Sequence, residues 1–139
     1  MKATILLADY AEVINNKLYI MGGGWSVVNQ KTGPTAIALK LEVPWNETNR
    51  KHSLKLELLD SDFHSVTVQT PAGELPLVIN GDFEVGRPAG LIQGVPLDLV
   101  AAFNIGSISL LPGKRYIWKL SIGGESSDQW QVTFSTRPT

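Results

Sequence analysis

Cysteine is missing from the 139 residues. The chain can therefore form no disulfide, no thiolate metal site and no cysteine nucleophile. Histidine is nearly missing as well, with His52 and His64 the only two. The formal net charge is −1, and no basic run exceeds the pair Arg50–Lys51. Binding to a phosphate backbone needs clustered Lys and Arg that release counterions, so nucleic acid is not an expected partner. No apolar run reaches the length of about 18 residues at which a stretch reads as a membrane helix, and no membrane partner is expected. The start, MKATILLADYAEV, places Asp9 and Glu12 directly after a short apolar stretch and closes with no small-residue cleavage site. No secretory signal is expected, and the expected location is the cytoplasm. Finally, no segment carries a sustained apolar stripe at helical spacing, so helix content should be very low.

What the chain does have is period two. Ile37, Leu39, Leu41 and Val43 alternate with Ala38, Lys40 and Glu42. Leu54, Leu56 and Leu58 alternate with Lys55 and Glu57. Leu97, Leu99, Ala101, Phe103 and Ile105 share one side, as do Tyr116, Trp118, Leu120 and Ile122, and then Trp130, Val132 and Phe134. Each pattern predicts a strand with one buried face. Turn residues punctuate them at Asn15–Asn16, Asp60–Asp62, Thr70–Glu74, Leu111–Lys114 and Gly123–Asp128. The spacing predicts about eight or nine strands: 3–14, 17–28, 35–43, 52–59, 64–69, 76–85, 96–105, 115–122 and 129–135. The length suits one domain over 1–139, all-β, built as an antiparallel β-sandwich of immunoglobulin-like or jelly-roll-like type. A closed barrel is the second choice.

The stretch YIMGGGWSVV raises the possibility of a ligand cradle at Gly22–Gly24. A phosphate loop needs a helix after the glycines and a Lys before Ser or Thr, and neither follows here. The stretch reads better as a bend in a strand crossing from one sheet towards the other, with Trp25 plugging the core beside it. Trp118 and Trp130 fall on apolar faces and read as core. Trp45, in VPWNETNR, reads equally well as an end plug or an exposed stacking surface. With Glu47, Arg50 and His52 nearby it makes a candidate ligand or partner site, to which Trp25 and Arg87 are added. Arg87 lies in the irregular segment 80–96, which holds four glycines and two prolines and is a candidate binding or assembly loop. Asp60, Asp62 and His64 place three metal-capable side chains within five residues, but a turn draws Asp and Ser for its own reasons. No metal, no cofactor and no catalytic residue is expected. The run Ile5–Leu6–Leu7 implies either a strand buried on both faces or a face that packs on a second subunit.

The segments LLADYAEVINNKLYIMGGGWSVV, LKLEVPWNETNRKHSLKLELLDSD, FEVGRPAGLIQGVPLDLVAAFNIG and LPGKRYIWKLSIGGES together resemble an uncharacterised group of small bacterial and phage proteins, a domain of unknown function. The resemblance runs over nearly the whole chain. It implies a small all-β protein, cytoplasmic or virion-associated, and supplies no activity, cofactor or catalytic residue. The resulting expectation is a non-enzymatic interaction or assembly module, with a protein partner or a second copy as its target. A small-ligand or carbohydrate-binding sandwich is the alternative, and a metal-dependent hydrolase ranks third.

Overall fold

A computed structural model describes residues 1–139. The chain is all-β, without an α-helix. Its strands are β1 (Lys2–Ala8), β2 (Tyr10–Ile14), β3 (Lys17–Met21), β4 (Val27–Val28), β5 (Thr35–Val43), β6 (Lys51–Asp60), β7 (Thr67–Thr70), β8 (Gly73–Pro76), β9 (Val78–Glu84), β10 (Leu97–Gly106), β11 (Arg115–Ile122) and β12 (Glu125–Thr136). One sheet has the order β1-β5-β10 and a second β4-β12-β11-β6-β9, while β2-β3 and β7-β8 form separate hairpins. All pairings are antiparallel except the two-residue contact of β4 with β12.

The period-two faces meet as expected. Ile37, Leu39, Leu41 and Val43 from the first sheet join Leu56, Leu58, Trp118 and Leu120 from the second in one buried cluster. Side chains of this size stabilise by roughly 1.5–3 kcal/mol each when fully buried, so this cluster is the main source of stability. Trp130 packs at its margin and donates its indole N–H to the Met1 carbonyl at 3.2 Å.

Two of the expected strands are each divided, because alternation alone cannot tell where a strand leaves its sheet. The segment 3–14 breaks at Asp9 into β1 and β2, and 17–28 breaks across Gly22–Ser26 into β3 and β4. Asp9 N–H donates to the carbonyls of Met21 and Gly22 at 3.1 and 3.2 Å, which fixes the corner where the β2–β3 hairpin departs. The expected strand 64–69 appears as β7, Thr67–Thr70, and pairs in a short hairpin with β8, which begins inside the expected turn 70–74. Leu6 is not buried on both faces but stands 40% exposed on the outer side of β1. The turn at Asn15–Asn16 is as expected: both residues have positive φ, 51° and 60°, and Ile14 pairs with Lys17.

The hairpin folds back over the outer side of the first sheet. There Ala8, Ala36 and Ala38, with Ala11 from β2, form a second, all-alanine cluster against which Leu18 and Ala102 pack. Alternation places Ala38 outward with Lys40 and Glu42, yet it is buried, because small side chains let the hairpin lie close. Asn104 of β10 then holds β2 by its backbone. Its Nδ2 donates to the Ala11 carbonyl at 2.7 Å, and the Ala11 N–H donates to its Oδ1 at 3.2 Å. The side-chain amide reproduces the two bonds of a strand neighbour. Beyond the hairpin, the same outer surface is polar and carries the ion pairs Lys2–Glu42 and Lys40–Asp98.

The glycine triplet carries the chain from the hairpin to the edge of the second sheet. Gly22 has φ +62°, and a Cβ there would meet the Asp9 carboxylate. Gly24 N–H donates to the Leu7 carbonyl at 2.7 Å. Trp25 follows and packs edge-on against Phe134 at 5.9 Å. Gly22→Ala is expected to lower stability by about 1–2 kcal/mol, the cost of a left-handed backbone for an L-residue, seen as a lower urea midpoint; an unchanged midpoint would contradict this role. Asn104→Ala is expected to cost about 1–2 kcal/mol through the two lost hydrogen bonds. It should also speed tryptic cleavage after Lys17. Equal cleavage of variant and parent would show that the hairpin is held by other means.

Candidate functional site

Four of the five candidate residues come together at one end of β5. Pro44 ends the strand and leads into a 3₁₀ turn, Trp45–Glu47. Thr48 closes that turn, its hydroxyl donating to the Trp45 carbonyl at 2.6 Å. Arg87 reaches across from the segment after β9. Its Nε donates to the Thr48 hydroxyl at 2.6 Å, its Nη2 donates to the Trp45 carbonyl, and its guanidinium carbon lies 4.4 Å from the centre of the Trp45 ring. His52 stacks on Phe83 at 5.1 Å, with Nε2 2.8 Å from the Glu47 carbonyl. Arg50 approaches Glu47 at 3.5 Å. Thr48 was not singled out from the sequence, where nothing sets it apart from other threonines after a turn.

The corner acts as a brace. Arg87 and the bond from Asn49 N–H to the Val85 carbonyl at 2.7 Å fasten the segment 85–96 to the β5–β6 connection. The expected strand 76–85 is β9, Val78–Glu84, and the irregular segment that follows it presents Leu91 and Ile92 to solvent. The guanidinium occupies one face of Trp45, which also packs against the main core cluster, and a groove lined by Lys2, Glu42 and Pro96 lies beside it.

Trp25, the fifth candidate, lies at the opposite end of β5. It borders an internal cavity of about 10 Å³ shared with Thr32, Thr35, Ile37 and Phe134. That is the size of one water molecule. The indole N–H of Trp25 is buried without a protein partner. Asp60, Asp62 and His64 do gather, with donor atoms within 4.8 Å of one another. Asp60 Oδ1 accepts the backbone N–H groups of both Asp62 and His64 at 2.9 Å, so this carboxylate organises its own turn.

The most unusual surface lies elsewhere, on the β2–β3 hairpin. The register pairs Tyr10 with Met21, Glu12 with Tyr19 and Ile14 with Lys17. These six side chains share the face opposite Ala11, which is buried against the sheet. Met21 is 67% exposed and Tyr19 50%. The Tyr10 hydroxyl donates to Glu12 Oε2 at 2.9 Å; this hydrogen bond, and then the nearby negative charge, raises the phenol pKa above its ordinary value. The alternation around Asn15–Asn16 was readable in the sequence, but which side faced the sheet depended on Ala11 finding the alanine cluster.

Together these features define a small all-β protein with a braced loop corner and an apolar hairpin face. The chain belongs to the Family of unknown function (DUF6941), whose model matches residues 3–135. No curated protein and no solved structure matches it.

Arg87→Ala is expected to lower stability by about 1–2 kcal/mol through its lost charge-assisted bonds, discounted for exposure. Arg87→Lys should recover less than half, since an ammonium cannot span both acceptors and cover the ring. Urea titration measures both, and full recovery by Lys would contradict the bracing geometry.

Proposed function

We propose that the protein is a non-enzymatic interaction or assembly module whose docking surface is the outer face of the β2–β3 hairpin. One observation carries this reading. Four of the thirteen large apolar side chains that stand exposed, Tyr10, Ile14, Tyr19 and Met21, lie together on this one face. Scattered apolar exposure is ordinary, whereas a concentrated patch on a held element marks a contact surface. The Asn104 clamp supports the reading, because a pre-formed face loses little freedom on docking. The same proposal takes the fold as an immunoglobulin-like or jelly-roll-like sandwich and its setting as bacterial or phage, in the cytoplasm or on a virion. The small-ligand reading at Trp45 ranks second, since the polar atoms of that corner are largely engaged with one another.

The test is native size in an extract of the producing cell, compared between the parent chain and Tyr19→Lys/Met21→Lys. The parent is expected to elute above monomer mass and the variant at monomer mass. Elution of both as monomers would overturn the reading.

A further inference from the structure

Resting on the docking face just proposed, we infer that its occupant is a second copy of this chain, related by a two-fold axis running along the hairpin strands. Two features of the face select this partner. The first is charge. The face carries one acid, Glu12, and one base, Lys17, among Tyr10, Ile14, Tyr19 and Met21. An axis parallel to the strands lays β2 of one copy over β3 of its mate. Tyr10 then meets Met21 of the partner subunit, Glu12 meets Tyr19 of the partner subunit, and Ile14 meets Lys17 of the partner subunit. The partner's Lys17 lies one pleat from Glu12, within reach of a four-carbon stem. A two-fold axis across the strands would instead oppose Glu12 to the partner's Glu12, which is unfavourable. The face is self-complementary in only one of the two orientations, as an isologous contact requires.

The second feature is area. Tyr10, Ile14, Tyr19 and Met21 stand 43%, 46%, 50% and 67% exposed. Aromatic and other large side chains present about 200 Å² in full, so these four offer about 400 Å² per copy. With Glu12, Lys17 and the flanking backbone, the patch reaches about 600 Å² per copy, or about 1,200 Å² in all, the lower bound for a specific interface. This area fits a reversible dimer rather than an obligate one. Glu12 also enters the contact with its carboxylate already accepting from Tyr10, which reduces the cost of removing it from water.

Sedimentation equilibrium of the purified full chain, from about 1 µM to about 1 mM, tests this over the range of a weak interface. The parent is expected to pass from monomer to dimer. Glu12→Lys and Lys17→Glu should each weaken association about tenfold or more through like-charge contact, and Glu12→Lys/Lys17→Glu together should restore most of it. Both sites are exposed, and unchanged far-UV spectra and melting confirm that the three variants fold. A parent that remains monomeric throughout overturns the inference, as does a dimer indifferent to both single reversals. A purified monomer that nevertheless elutes large from the cell extract leaves the interaction module standing with a different partner, which separates failure of this inference from failure of the reading beneath it.

Discussion

Everything distinctive about this molecule depends on how closely the β2–β3 hairpin can lie on the outer side of the first sheet. That approach needs small side chains on both surfaces, and Ala8, Ala11, Ala36 and Ala38 provide them. It also needs partners for the backbone of β2, which has a strand neighbour on only one side. Asn104 supplies a donor and an acceptor in the spacing of a peptide group. A larger residue at Ala38, or an aliphatic one at Asn104, would separate the layers.

The rest follows from that placement. The chain must leave β1 sharply, which Asp9 and Gly22 make possible together, and it must return to the second sheet through Gly22–Gly24. The core beneath is an ordinary meeting of two alternating faces. The hairpin is therefore not needed to close the main core, and its outer side is left with apolar residues that no part of the chain covers. A folding role alone does not account for Tyr19 and Met21. The Trp45–Arg87 corner, by contrast, is accounted for by folding: it ties a glycine- and proline-rich segment to the end of β5.

Strands 35–43 and 115–122 could be read from the sequence to the residue, since one buried face leaves an unmistakable alternation. The breaks at Asp9 and after Met21 could not, because a strand that changes sheets keeps its alternation on both sides of the bend. The burial of Ala36 and Ala38 was hidden for a related reason: alanine fits a solvated face and a tightly covered one equally well. At the candidate corner, residue types pointed to Trp45, Arg50, His52 and Arg87, and the fold does assemble them. Their mutual bonds, which turn a recognition surface into a brace, depend on contacts across 39 and 42 residues that no local pattern records.

As proposed, the hairpin is a held face that meets its own copy. Amide hydrogen exchange across β3, followed as protein concentration rises, tests it most directly and perturbs no residue. Tyr19 and Met21 are expected to exchange more slowly at high concentration while the amides of β5 and β11 remain unchanged. Exchange at Tyr19 and Met21 that is independent of concentration would contradict it.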